Sequence, residues 1–271
     1  MGLDRVVCDK PRPGREEEFL RLKAILRRRE FTPEEEALYR EVAITPYDTL
    51  GVPRVGIDEA ATRYLLEAAA ERRREIAQNP HLLEEDPEAR QWQLSDEELV
   101  QRHYGAYVPD LVEYQLSPYQ VMAPFVSLAG HFSFRGQVLV GSPLLNKRLQ
   151  RRAFQSMTSQ EMAEYAVALE KCAIPKAARA LSDLGCGELA ATLLAGPAQA
   201  FQWAEESLQA MRRRAEAEGF QETIIGYRSA DGREFEPTPM ERLASQLHRI
   251  LAAARWLRFW ADLGHSMYAW Y

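Results

Sequence analysis

The chain is poor in lysine and cysteine and has no long apolar run, and the last two shortages narrow what it can be. Lysine occurs 5 times against 29 arginines, a compositional bias that carries no mechanism by itself. Cys8, Cys172 and Cys186 are odd in number and far apart, with no CxxC and no Cys/His ligand spacing. That argues against a disulfide framework or a zinc site and fits the reduced thiols of a cytosolic protein. No apolar stretch approaches the roughly eighteen residues of an ordinary membrane-spanning helix. The opening MGLDRVVCDKPRPGR also lacks the apolar segment of a secretory signal. The expected location is therefore cytoplasmic, with no membrane partner.

Catalytic and cofactor motifs are missing as well. None of the five histidines lies in HExxH or has a glutamate three residues before it, as a di-iron bundle requires. Asp262 and His265 have the spacing of one helical face, but Gly264 should end the helix between them. His103 and His131, each beside aromatics, read as packed or exposed side chains. There is no GxSxG elbow and no acylating SxxK. Cys172 and Cys186 fall in alanine-rich helical surroundings that keep a thiol inert. Leu184-Gly-Cys-Gly-Glu188 lacks the preceding strand and third glycine of a phosphate cradle, and reads as a helix end followed by a turn. No metal and no cofactor are expected.

What the chain does have is enough apolar sequence for a sizeable core: 46% of its 271 residues, with 27% charged. Helix-start signals recur. Thr32-Pro-Glu-Glu35, Ser95-Asp-Glu-Glu98, Thr158-Ser-Gln-Glu161 and Thr238-Pro-Met-Glu241 each combine a capping hydroxyl with a glutamate three residues on. Further helical patterns span residues 16–29, 58–78 and 188–218, the last broken at Gly196-Pro197. Pro175 should end or kink the helix that starts after Thr158. The count is seven to nine helices.

Strand signals are fewer. Residues 131–134 and 137–140 read as a hairpin turning at Arg135-Gly136. Residues 222–228 and 233–236 flank a turn with Gly232 at its positive-φ position. Loops rich in Pro and Tyr are expected at 44–53 and 104–124. The fold predicted is mainly α: a multi-helix single domain, residues 1–271, packed around a long C-terminal helix, with one or two short β-hairpins. Within it, an N-terminal helical lobe over 1–104 and a larger lobe over 105–271 are the natural divisions.

The C-terminal helix should run from Thr238 to about Leu263. Leu243, Leu247, Ile250, Leu251 and Ala254 make one apolar stripe, and Trp256, Phe259, Trp260 and Leu263 open a second. A helix apolar nearly all round is buried on both sides. Arg255, Arg258 and Asp262 form the one polar strip, with Arg258 and Asp262 spaced to pair at i,i+4. Beyond Gly264, the tail His265–Tyr271 carries Tyr268, Trp270 and Tyr271, which could pack in the core or dock on a partner.

The net charge of −6 is unevenly placed. Residues 1–100 hold 23 acidic and 16 basic side chains, and residues 101–271 hold 17 and 18. Between Glu84 and Glu98 seven carboxylates (Glu84, Glu85, Asp86, Glu88, Asp96, Glu97 and Glu98) face one arginine, with Trp92 between the two acidic runs. A solvated loop leading into a helix N-terminus accounts for the last three carboxylates through the helix dipole. An acidic rim around an aromatic anchor is also what captures a basic protein quickly. The arginine clusters at 27–29, 72–74, 151–152 and 212–214 have glutamates close by and no interleaved aromatics, which disfavours nucleic acid as partner.

Two functions follow as expectations. The first is a cytosolic, non-enzymatic protein that binds a folded, basic protein partner, such as a toxin or effector. An inhibitor or a toxin-neutralising immunity protein has that profile. Its contacts would be the seven carboxylates, Trp92, and the tail aromatics Tyr268, Trp270 and Tyr271. The alternative is an enzyme with a dispersed site near residues 103–131, using His103, Tyr104, Tyr107, Asp110 and Glu113 as acid–base groups.

Overall fold

A computed structural model describes residues 4–26, 28–112, 133–135, 139–223 and 226–270. The chain is mainly α, with eleven α-helices among the described residues and a few short antiparallel strands. It divides into two compact units, residues 1–43 with 116–271, and residues 44–115.

The larger unit begins with β1 (Asp4–Val7), α1 (Glu16–Leu26) and α2 (Pro33–Val42). Phe19, Leu22, Val42 and Ala43 form a small core there, covered by Ile25, Phe31, Leu38 and Tyr39. In the smaller unit come α3 (Pro46–Thr49), α4 (Glu59–Gln78), α5 (Leu82–Glu85), a 3₁₀ turn (Pro87–Gln93) and α6 (Asp96–Arg102). The larger unit resumes with β2 (Ser133–Arg135), α7 (Lys147–Arg152), α8 (Ser159–Asp183), α9 (Gly187–Leu194) and α10 (Pro197–Ala217). It ends with β3 (Phe220–Thr223), β4 (Gly226–Ser229), α11 (Pro239–Asp262) and β5 (Met267–Trp270).

The four capping boxes all form, each with the hydroxyl accepting from the N3 backbone and the glutamate accepting from the cap N–H. A fifth, Thr45 with Asp48, starts a one-turn helix in what the sequence suggested was a loop. α11 is the centre of the larger unit. It packs against α8 and α10, and it buries Leu243, Leu247, Ile250, Leu251, Trp256, Leu257 and Trp260. Gly264 (φ +77°) turns the chain out of the helix, and Lys10 Nζ donates to the Leu263 carbonyl at 2.7 Å, a cation at the negative end of the helix dipole.

Three local expectations are corrected. Pro175 does not end its helix: α8 runs through it to Asp183. Pro175 and Lys171 both lie on the solvent side, so water can satisfy the Lys171 carbonyl that loses its donor. The buried face of α8 against α11 then outweighs a proline cost of about 3 kcal/mol. Arg258 does not pair with Asp262; it crosses to Glu170 on α8 at 2.7 Å, where a carboxylate only 8% exposed demands a cation.

Strand partners differ as well. Ser133–Arg135 pairs with β1, Asp4 opposite Arg135 and Val6 opposite Ser133, while Leu139–Gly141 turns away. β5 pairs with the other edge of β1, giving an antiparallel sheet of order β2-β1-β5. The remaining residues of the expected hairpin, 131–132 and 136–138, lie outside the described residues. In the second hairpin, β3 pairs antiparallel with β4, Phe220 opposite Ser229 and Thr223 opposite Gly226, so the expected strand 222–228 divides between two strands. Gly232 does occupy a positive-φ turn (+87°), between Ser229 and the Arg228–Glu234 bridge.

Candidate functional site

The acidic segment belongs to the smaller unit, whose core is Val55, Ala61, Leu65, Ala69, Leu99 and Val108. Trp92 is half-buried and packs against that core, so its ring is a structural anchor of the 3₁₀ turn. Arg73 on α4 holds the segment from beneath. Its Nε donates to the Trp92 carbonyl (2.7 Å), Nη2 to the Leu94 carbonyl (2.8 Å) and Nη1 to Asp96 (2.8 Å). Arg72 lies 3.9 Å from Asp86 and pairs with Glu75. Glu98 accepts from Ser95 Oγ and N–H, which lowers its pKa. Asp86, Asp96 and Glu98 are thus engaged within the chain, while Glu84 and Glu97 are exposed. The side chains of Glu85 and Glu88 lie outside the described residues.

The same unit carries a feature that composition did not reveal. An open groove of about 760 Å³ runs along α4, lined by Ile57, Leu66, Ala70 and Val100, with Glu59, Arg63 and Glu67 at its edges. Ile57 is 56% exposed. At 3.6 residues per turn, the groove stripe Glu59, Thr62, Leu66, Ala70 lies roughly a third of a turn from the core stripe Ala61, Leu65, Ala69. The signal was in the sequence: Leu65-Leu66 cannot both point into one narrow core. At the groove's end, Gly56 (φ +75°) lies against the Tyr104 ring, and a Cβ there would sit 2.4 Å from Tyr104 Cδ2. Tyr104 itself is 62% exposed.

By the structural boundaries, residues 44–115 hold 15 carboxylates and 7 arginines, no lysine, and a balance of −8. The rest holds 25 acidic and 27 basic side chains, a balance of +2.

The residues of the enzyme alternative disperse. Tyr107 stacks on Tyr47 (4.7 Å) and lies under the Arg54 guanidinium. Its hydroxyl joins Asp48 (2.9 Å), Arg54 (2.7 Å) and Thr45 (3.0 Å). Asp48 also closes the Thr45 capping box and pairs with Arg54. These groups satisfy one another. Asp110 accepts from Tyr64 Oη at 2.9 Å on the surface. His103 caps α6, with Nε2 buried and unbonded among the described residues. Glu113 and residues 114–131 lie outside the described residues.

In the larger unit, the tail is strand rather than loose end. Met267 and Ala269 are buried and Tyr268 is 55% exposed, the period-two alternation of a sheet. The Trp270 side chain and Tyr271 lie outside the described residues. His265 is fully buried, its Nδ1–H donating to the Cys8 carbonyl at 2.7 Å and its ring edge-on to Trp260. Two of the arginine clusters are partly engaged: Arg29 with Glu35, Arg212 with Glu222, and Arg214 with Glu218 and Glu241. Cys8, Cys172 and Cys186 form no disulfide among the described residues.

No group of three metal-ligating side chains occurs among the described residues, and no helix there is long and apolar enough to cross a membrane. The class the fold defines is a mainly α protein of two units, one strongly acidic. Compared with known protein families, curated proteins and solved structures, the chain matches none of them.

Proposed function

We propose that the chain is a non-enzymatic, cytosolic protein-binding protein whose acidic unit, residues 44–115, takes a basic segment of a folded partner. The observation that carries this reading is the open apolar groove at Ile57, Leu66 and Val100, edged by Glu59 and Glu67, in a unit of balance −8. An exposed apolar stripe gives a partner's bulky side chain a place to anchor, and carboxylates around it select lysine or arginine on either side. Glu84 and Glu97 add steering charge from the acidic segment. Within this reading we favour an inhibitor or toxin-neutralising immunity protein, because a carboxylate-rich face can cover the cationic working surface of a toxin or effector.

Panning a random-peptide phage library against the full chain tests it. The expected enrichment is for peptides with lysine or arginine flanking a bulky apolar residue. Binding should weaken as salt rises and should be lost in Ile57→Asp and in Glu59→Lys/Glu67→Lys. Enrichment of acidic or uncharged peptides, or unchanged binding by both variants, refutes the proposal.

A further inference from the structure

The helical bundle of the larger unit contains a second, smaller cavity of about 370 Å³, half-enclosed between α8, α10 and α11. Four charged side chains line it, and their pairing is uneven. Glu170 is buried and already holds Arg258 Nη2 at 2.7 Å. Arg255 lies over the Phe201 ring, 4.2 Å from its centroid, and makes no ion pair or hydrogen bond among the described residues. Glu205, on α10, lines the same cavity without forming an ion pair with Arg255 or Arg258. Pro197 and Ala198, both exposed, supply apolar wall.

A ligand entering this cavity strips water from an unpaired guanidinium and an unpaired carboxylate together. An apolar molecule compensates neither. A simple anion satisfies Arg255 but meets Glu205, and a simple cation meets the reverse conflict. A molecule carrying both charges satisfies both ends. Size limits it further: with a water's share near 30 Å³, the cavity holds on the order of ten waters, which is amino-acid size. We propose that this cavity is a binding site for a small zwitterion of the amino-acid class. Its carboxylate is held by Arg255 with help from Arg258, its ammonium by Glu205, and its side chain rests on Pro197 and Ala198.

The test is isothermal titration of the full chain with each of the twenty common amino acids, and with 4-methylpentanoate and isoamylamine as single-charge counterparts of leucine. At least one amino acid should bind with Kd below about 1 mM. Both single-charge compounds should bind at least about tenfold more weakly than that amino acid. Arg255→Gln and Glu205→Gln should each weaken binding about tenfold or more. Both side chains are part-exposed, so circular dichroism and melting temperature should match wild type. Failure of all twenty overturns the proposal. So does equal binding of 4-methylpentanoate, or unchanged binding in both variants. If one variant misfolds, the other still decides the question.

Discussion

Two buried histidines should make the larger unit acid-sensitive. His248 is 4% exposed on α11, stacked on Phe201 at 4.9 Å, with Nε2 unbonded among the described residues. Burial pushes its pKa down to about 4, and Arg249 and Arg255 nearby push the same way. His265 is held near 4 as well, chiefly by burial; Lys10 and Lys23 add to the fall, and its bond to Cys8 opposes it. An unfolded histidine titrates near 6.5. Between about pH 6.5 and 4, therefore, the unfolded chain carries protons that the folded chain does not. Stability is fully present above the unfolded pKa and is lost as pH falls through that window. At about 1.4 kcal/mol per pH unit for each group, the loss reaches about 3 kcal/mol per histidine by pH 4.

His248→Phe isolates one of the two, since phenylalanine keeps the stack on Phe201 and cannot titrate. Urea unfolding of wild type and variant, at half-unit steps from pH 7.5 to 4.5, gives the slopes directly. Four of the five tryptophans lie in the larger unit, so fluorescence in a Trp92→Phe background reports on that unit alone. The offset between the two proteins at pH 7.5 carries no weight, because repacking can give it either sign. Below pH 6.5 the variant should lose stability less steeply, by about 1.4 kcal/mol per unit. Parallel slopes would refute the claim that His248 is a buried neutral ring.

Two further outcomes follow from the fold. Gly56→Ala should destabilise the smaller unit by about 1–2 kcal/mol, through left-handed backbone and the clash with Tyr104. Gly56→Ala/Tyr104→Ala should recover only the clash, which thermal melts of the two variants will separate. Deleting residues 265–271 should unfold the larger unit or lower its melting temperature sharply. That deletion removes β5, the buried His265, Met267 and Ala269, and two backbone hydrogen bonds between Met157 and Met267. An unchanged melt would show that the strand adds nothing.

What could be read in the sequence was local, and what could not was long-range. Capping boxes, Gly196-Pro197 and Gly264 mark helix ends through hydrogen bonds or dihedrals that neighbours in sequence decide, so α2, α6, α8, α10 and α11 were legible. The near-continuous apolar surface of α11 likewise implied a central helix. Strand pairing is different. Ser133–Arg135 has its partner at Asp4–Val7 and the tail pairs with that same strand, across separations no turn signal encodes. Pro175 misled because the rule against it counts the lost hydrogen bond but not the burial opposite. Asp262 misled because helix spacing makes Arg258 available to it while saying nothing of Glu170. The groove was half-legible: the doubled stripe of α4 implies a second apolar face, but only the fold shows that no element among the described residues fills it.

The division of labour proposed for the acidic unit has a kinetic consequence. Asp86, Asp96 and Glu98 are tied to Arg72, Arg73 and Ser95, so they still contribute to the field of the unit but are not free to form new close pairs. In the proposed reading these three carboxylates would act mainly at a distance, raising the rate of encounter and fading as salt screens them. In the same reading the groove would act only on contact, through apolar area that salt leaves in place. Once a basic peptide is in hand, Glu84→Lys/Glu97→Lys should slow association several-fold at low salt and leave dissociation nearly unchanged. Ile57→Asp should do the opposite, because anchoring contacts are expressed in the dissociation rate. If charge reversal in the acidic segment altered only dissociation, the segment would be part of the contact surface and Glu84 or Glu97 would touch the ligand. If it altered neither rate, the acidity would serve the solubility of the unit, and recognition would rest on the groove alone.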